Sequence, residues 1–127
     1  MEFGTMMEQL ADLAGGSFSQ YDDTTSVLIV PVGEHRIQTV YAYDEGEQGI
    51  KIISKACDEN DVTPYEKLVR NNGSLSYSCI GIEDGVIYVK SRVLPGAEPG
   101  KAMKDMLLEI AETADNWELK LTDQDIH

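Results

Sequence analysis

The last third of the chain constrains the fold most, because a β-hairpin signal there is followed by one long amphipathic helix. The step Asp84-Gly85 lies between the apolar runs 77–82 and 86–94, which is typical of a two-residue hairpin turn. Burial of the helix stripe would stabilise the fold by roughly 10 kcal/mol. Ordering the helix backbone costs a comparable amount, so the helix needs a sheet to pack against. The helix is predicted to run from about Lys101 to Asn116. Its apolar stripe, with the residue that follows the helix, consists of Met103, Met106, Leu107, Ile110, Ala111, Ala114 and Trp117.

Alternation along the hairpin assigns its side chains to two faces of the sheet, because successive residues of a strand point to opposite sides. The face predicted to join the core carries Ile80, Ile82, Ile87, Val89 and Val93. The opposite face then carries Tyr88, Lys90 and Arg92.

Three strand-like runs lie upstream, at 27–32, 35–43 and 50–57, and they are rich in β-branched and aromatic residues. Short polar breaks separate the runs, which predicts an antiparallel meander. Pro31 cannot donate a ladder hydrogen bond, so it indicates a sheet edge, a bulge or a strand end.

Two further helices are predicted outside the strands. A first helix precedes Gly15-Gly16, and its apolar face consists of Met6, Met7, Leu10 and Leu13. A capping box at 63–66, with Thr63 as N-cap, Pro64 in the first turn and Glu66 closing the box, predicts a short middle helix. That helix ends near Asn72-Gly73. Its narrow apolar face consists of Tyr65, Leu68 and Val69.

The predicted element order, α-β-β-β-α-β-β-α, is typical of an α+β domain with helices on a single antiparallel sheet of about five strands. The length of 127 residues fits one domain, which we place at residues 6–121. Residues 1–5 resemble a vector-derived tag, because Glu-Phe and Gly-Thr are encoded by common restriction sites. Residues 122–127 are expected to form a C-terminal tail.

The charge balance excludes several partners. The chain carries 23 Asp and Glu against 10 Lys and Arg, a net charge of −13, which repels nucleic-acid phosphates and anionic membranes. This acidity favours solubility, and it would also suit a basic or amphipathic protein partner. No run is apolar and long enough to span a membrane, and no secretory signal opens the sequence. A cytoplasmic location is therefore expected.

No residue pattern predicts catalysis, a metal or a cofactor. Asp58, Glu59 and Asp61 share one loop, but they lack the spacing and the glycine of a calcium loop, which favours a solvated loop. His35 and His127 have no visible partners for a metal site or a catalytic triad. Carboxylates are so abundant that no pair of them is informative.

The two cysteines, Cys57 and Cys79, both fall in predicted strands and form no C-x-x-C motif. In a reducing compartment they are expected to be small buried hydrophobic residues. A disulfide between adjacent strands stays open at this point, because the sequence does not define the distance between them.

Tyrosines form the pattern that best suggests a binding surface. Tyr77 and Tyr88 fall on the hairpin face opposite the core residues, while Tyr41 and Tyr43 share a face with Ile37. If both sets face outward, an aromatic stripe crosses the exposed side of the sheet, as in many protein interfaces. The alternative is that these residues pack under the helices or simply satisfy strand propensity.

The segment 65–119 contains a short helix ending in Asn72, the run Gly85-Val86-Ile87-Tyr88-Val89, the step Val93-Leu94-Pro95, and a helix with Ala114-Asp115 and Trp117. In these features it resembles the YbjN family and the class I type III secretion chaperones. The resemblance implies a secretion-chaperone-like α+β fold. It also implies a homodimer that binds an extended protein segment along its sheet and helices.

The leading hypothesis is therefore a non-catalytic module that binds a protein or peptide through an exposed sheet face or edge. A second hypothesis is a homodimeric stress-response or regulatory protein with no separable ligand site. A small enzyme is the third, and its support is limited to the abundant carboxylates.

Overall fold

The computed structural model describes residues 2–58 and 66–126, with side chains at 2–58 and 67–119. A short 3-10 turn, Gly46–Gln48, connects the third and fourth strands. Glu59, Asp61, the capping-box residues 63–65 and His127 lie outside the described residues. In chain order the helices and strands are α1 (Phe3–Leu13), β1 (Ser17–Asp22), β2 (Thr25–Val32), β3 (Arg36–Asp44), β4 (Ile50–Asp58), α2 (Glu66–Ser74), β5 (Cys79–Glu83), β6 (Val86–Val93) and α3 (Lys101–Ile126).

The strands form one antiparallel sheet in the order β1-β2-β3-β4-β6-β5, which confirms the predicted α+β class. The sheet has six strands rather than about five, because β1 was not predicted. Only Phe18 of β1 packs against the core, so this edge strand has no apolar alternation to reveal it.

The hairpin turn forms at Asp84-Gly85 as predicted. Both residues have positive φ, 51° and 77°, which is the backbone that a type I′ turn requires. Pro31 pairs with Ile37 inside the sheet, but β1 ends opposite Ile29, so no strand lies beside Pro31 on the β1 side. The missing N–H therefore interrupts no ladder on that side, and of the three positions expected for this proline, an edge, a bulge or a strand end, it occupies one near the end of β2.

All three helices contribute to one core on one face of the sheet. Met7 and Leu10 of α1 pack over β1 and β2, whereas α3 crosses β2, β3, β4 and β6. Leu68 of α2 closes the core near β5. Along α3 the buried side chains include Met103, Met106, Leu107, Ile110, Ala114 and Trp117.

Helix α3 is longer than predicted, because it continues past Asn116 to Ile126 and includes most of the expected tail. Two polar contacts anchor it. Arg36 Nη2 lies 2.7 Å from Asp115 Oδ2, and Trp117 Nε1 donates to Asn71 Oδ1 at 2.7 Å. At the other end of the chain, Phe3–Thr5 of the expected tag form the first turn of α1.

Four residues expected in the interior are instead exposed. One is Leu13 at the end of α1, which is 44% exposed. Ile82 is 48% exposed and Val69 is 70% exposed, and both line an apolar groove between α2 and β5. Leu68 of α2 packs into the core beside the partly buried Ile80, but this helix of nine residues does not extend over the end of the edge strand β5. Cys79 is also exposed, while Cys57 is buried, and no disulfide joins the two.

Ser26 offers a direct test of how much an unpaired hydroxyl in the core lowers the free energy of unfolding. Its side chain is fully buried on β2, and its Oγ has no hydrogen-bond partner among the described residues. We expect Ser26→Ala to raise the free energy of unfolding by about 0.5–1.5 kcal/mol, because the mutation removes an unpaired buried polar group. Urea denaturation measures this change.

Ser54 is the matched control for Ser26. It is equally buried on β4, but its hydroxyl donates to Thr39 O at 2.7 Å and accepts from Gln38 Nε2 at 3.0 Å. Ser54→Ala should therefore lower the free energy of unfolding by about 1–2 kcal/mol. Equal losses in the two variants would contradict the assignment of Ser26 as unpartnered.

Candidate protein-binding face

The side of the sheet opposite the core forms the candidate site, because no described helix packs on it. The strand registers place outward side chains from several strands, β2 included, on this side. We use the name open face for the part of it on β3, β4, β5 and β6. The open face consists of Ile37, Thr39, Tyr41 and Tyr43 on β3, Lys51, Ile53 and Lys55 on β4, Tyr88, Lys90 and Arg92 on β6, and Cys79, Gly81 and Glu83 on β5.

Three of the predicted tyrosines lie on the open face, and we call them the tyrosine cluster: Tyr41, Tyr43 and Tyr88. The rings of Tyr41 and Tyr43 stack, with centroids 6.3 Å apart and planes 14° from parallel. Partial burial, with added repulsion from Tyr41 and Tyr88, raises the pKa of Tyr43 above its ordinary value. Tyrosines of β3 and β6 therefore lie close enough for the charge of one to influence the ionisation of another.

Ile53 lies between these tyrosines in the sheet. It pairs with Tyr41 on one side and with Lys90 on the other, and it is only 5% exposed although no helix covers it. The aromatic rings and lysine stem around it thus bury an apolar side chain from the solvent side. This arrangement forms a small apolar centre on an otherwise polar surface.

Tyr77 does not join the cluster. It precedes β5 in a bend, and its backbone N–H donates to Glu109 Oε1 of α3 at 2.9 Å. It is 45% exposed and lies within electrostatic range of Lys101 at the start of α3. The predicted four-residue stripe is therefore a three-residue cluster plus one tyrosine beside the helix layer.

A group of charged residues adjoins the tyrosine cluster, and we call it the cationic cluster: Lys51, Lys90 and Arg92. Glu83 Oε1 lies 3.0 Å from Lys90 Nζ and 3.3 Å from Lys51 Nζ. Hydrogen bonds from Lys90 and then Lys51 hold the pKa of Glu83 below its ordinary value. Two strands thus direct their ammonium groups at one carboxylate.

The cationic cluster borders a surface cavity of about 370 Å³. Gly81 helps to form it, because a Cβ at this position would lie 3.0 Å from Lys90 Cε. The absence of a side chain lets Lys90 extend across β5 to Glu83. The residues lining the cavity are Lys51, Cys79, Glu83, Lys90, Ser91 and Arg92.

A second feature of the open face is a gap between β3 and β4, which we call the notch. The β3–β4 ladder stops at the pair Tyr41 and Ile53, although each strand continues beside its other neighbour. Beyond that pair, Gln38 Nε2 donates to Lys55 O at 3.1 Å and to Ser54 Oγ. The notch has a volume of about 320 Å³ and is lined by Ile37, Gln38, Thr39, Tyr41, Lys55, Ala56 and Glu118.

Within residues 2–58 and 67–119, no three His, Cys, Asp or Glu side chains are grouped as metal ligands. His35 is exposed, and Asp58 lies 3.9 Å from Lys55. No helix in the described part of the chain has the length and apolar character needed to cross a membrane.

Sequence reasoning missed the cationic cluster and the notch. Lys90 and Arg92 were predicted to face outward, but their neighbours on β4 and β5 depend on a strand order that the sequence does not define. The role of Ile53 was also missed, because this residue faces outward within a run of residues that are mostly buried.

Comparison with known proteins adds no assignment. No protein-family model matches the chain, and a search of curated proteins finds no match.

Proposed function

We propose that this protein is a non-catalytic module that binds a protein or peptide through the open face. The observation that carries the proposal is that the helices pack on one side of the sheet while the tyrosine cluster lies on the other side, next to the notch. The resemblance to YbjN-like proteins and type III secretion chaperones supports the same role, since the chaperones hold extended segments along their sheets.

The tyrosine cluster suits recognition because each ring offers a large apolar surface with a polar tip. Tyr41 and Tyr43 are 40% and 36% exposed, so much of that surface remains available. Stacking also restricts the two rings, which lowers the entropy lost when a partner immobilises them.

The notch suits an extended segment because the backbones of β3 and β4 are joined there through side chains instead of a ladder. An incoming strand could take over the bonds that Gln38 and Ser54 make to Lys55 O and Thr39 O. Backbone pairing would then give affinity, and neighbouring side chains such as Tyr41 and Lys55 would give specificity.

A homodimer is the second candidate, and the sheet edges bear on it. At the β5 edge, Asn72 Oδ1 accepts the Ile80 N–H at 2.9 Å, so a side chain already occupies one edge donor. The β1 edge is mostly exposed, and no described strand pairs with its outer side. Strand addition at β1 is therefore the route that the sheet offers to a second copy.

Alanine at all three cluster tyrosines tests the proposed function. We expect the triple variant Tyr41→Ala, Tyr43→Ala and Tyr88→Ala to weaken partner binding at least about 100-fold, as for loss of interface hot spots. The free energy of unfolding should fall by less than about 2 kcal/mol, since the rings lie outside the main core. Affinity capture from a native extract, followed by thermal melting of each variant, measures both quantities.

Tyr21→Ala is the control, because Tyr21 is 79% exposed on β1 and lies outside the open face. Proteins retained by the wild type and by Tyr21→Ala, but lost with the triple variant, would support the proposal. Loss of folding in the triple variant would contradict the proposal. Capture of the same proteins by the wild type, by Tyr21→Ala and by the triple variant would contradict it as well.

A further inference from the structure

We propose that the segment recognised by the open face is acidic, and that the cationic cluster binds one of its carboxylates. This inference rests on the proposed function and names the chemistry of its partner. It contrasts with the basic partner that the net charge of the chain would favour.

The charge at the cationic cluster is opposite in sign to the net charge of the whole protein. Lys51, Lys55, Lys90 and Arg92 are four of the ten Lys and Arg residues in a chain with a net charge of −13. The acidic groups paired with them are Glu83 near the centre and Asp58 and Glu45 at the ends. Glu118 adds a further carboxylate at the notch. At the cationic cluster itself, three cations pair with the two carboxylates of Glu83 and Glu45, which leaves one positive charge in excess. An acidic segment is therefore attracted to this cluster and repelled by the acidic surface elsewhere.

The cationic cluster already has the geometry of a carboxylate site. Lys51 and Lys90 both reach Glu83 Oε1, although they start from different strands and Glu83 belongs to a third. Charge-assisted bonds of this kind are the strong ones among protein hydrogen bonds. Glu83 therefore occupies the position that a partner's carboxylate would share or take.

The register of β4 and β6 adds a reason for the cluster to accept another anion. Lys51 and Arg92 are directly opposite each other in the ladder, and like charges in that position destabilise a sheet. Arg92 is also held by Glu45 and by Gln48 O at 3.0 Å. A carboxylate placed in the cavity between Lys51 and Arg92 would relieve their repulsion.

A peptide fits these observations better than a single-stranded nucleic acid. A nucleic acid carries a phosphate at every nucleotide and needs a continuous basic track. Here only four basic residues lie on the open face, and acidic groups lie at both of its ends. A peptide can place its carboxylates at the cationic cluster and apolar or neutral residues at the tyrosine cluster.

The probe is a fluorescein-labelled peptide in which glutamate alternates with tyrosine and glycine, compared with the same peptide carrying glutamine for glutamate. Fluorescence anisotropy is measured at an ionic strength of about 0.01 M, where charges act over about 30 Å. We expect the glutamate peptide to bind at least about tenfold more tightly than the glutamine peptide, and to lose that preference in high salt.

Two pairs of variants locate the binding. Lys51→Gln with Lys90→Gln should weaken binding of the glutamate peptide at least about tenfold. The control Lys101→Gln with Lys104→Gln, which makes the same charge change on α3, should alter it less than about twofold.

Glu83→Gln should tighten binding of the glutamate peptide severalfold by removing the carboxylate that already occupies the cationic cluster. Glu98→Gln, an equal charge change at an exposed position in the loop before α3, should not.

Three outcomes would overturn the inference: no binding of the glutamate peptide, equal weakening by both lysine pairs, or tighter binding of a single-stranded oligonucleotide than of the peptide. The proposed function can survive that failure. Captured partners that depend on the tyrosine cluster but not on Lys51 and Lys90 would preserve the binding module and reject its acidic ligand.

Discussion

Gly49→Ala is expected to lower the free energy of unfolding by about 3 kcal/mol, because the position tolerates no side chain. Gly49 has φ +94°, and a Cβ there would lie 2.2 Å from Val93 O. That contact is with backbone, so no rotamer change can relieve it. Either β4 must move away from β6 or the turn before β4 must open. Urea denaturation with a two-state fit measures the loss.

Gly46→Ala in the same turn is the matched control. Gly46 also has a positive φ, +68°, but a Cβ there meets nothing within 4 Å. Its replacement should cost about 1–2 kcal/mol from backbone conformation alone. A Gly49→Ala loss no larger than the Gly46→Ala loss would show that the approach to Val93 contributes nothing.

The close approach at Gly49 also affects the open face. It fixes the start of β4 against the end of β6, and this sets Lys51 opposite both Tyr43 and Arg92. A shift of one residue would turn these side chains to the other side of the sheet. We therefore regard Gly49 as a determinant of the site as well as of the fold.

The predictable parts of the fold are those that depend on local chemistry. Asp84-Gly85 defines its hairpin because both residues accept positive φ, and the apolar stripe of α3 identifies a helix facing a sheet. Strand β1 was not predictable in this way, since Phe18 alone points into the core. The end of α3 was missed because the apolar stripe stops at Trp117 although the backbone continues to Ile126.

The candidate site shows the same difference between residues that local patterns predict and residues that depend on the strand order. Alternation within its own strand predicted Tyr88 to face outward, and it predicted that Tyr41 and Tyr43 share a face, although it did not define which side of the sheet that face is. Tyr77 fails that rule because it lies before β5, in a bend that α3 holds. The meeting of Lys51 with Glu83 requires β6 to lie between β4 and β5, and this non-local strand order is not encoded in any short pattern.

The bend before β5 depends on one carboxylate, that of Glu109 on α3. Its Oε2 accepts the Ser76 N–H at 2.9 Å. Its Oε1 accepts the N–H groups of Tyr77 and Ser78 at 2.9 Å and the Ser78 hydroxyl at 2.6 Å. Three consecutive backbone donors therefore converge on an anion, and this fixes the chain where it enters the edge strand.

Glu109→Gln should lower the free energy of unfolding by about 2 kcal/mol. The amide retains one acceptor oxygen, but its NH₂ group would face the N–H of Ser76 or of Tyr77 and Ser78, whichever way it is oriented. Glu112→Gln on the same helix is the control, because Glu112 is exposed, and its effect should stay within about 0.5 kcal/mol. Similar losses for the two variants would remove the anchoring role of Glu109.

The pH dependence gives an independent check of that role. Burial raises the pKa of Glu109, but the bonds from Ser78, Ser76 and Tyr77 outweigh burial and hold the pKa below its ordinary value of 4.5. On acidification the unfolded chain is protonated first, so the contribution of Glu109 is complete above that value and is lost as the pH falls through the folded pKa. The stability difference between wild type and Glu109→Gln should therefore be constant above about pH 5 and shrink below it. Glu83 and the other carboxylates are common to both proteins and cancel in the difference, so a gap that stays constant down to pH 3 would mean that Glu109 is not bound as an anion.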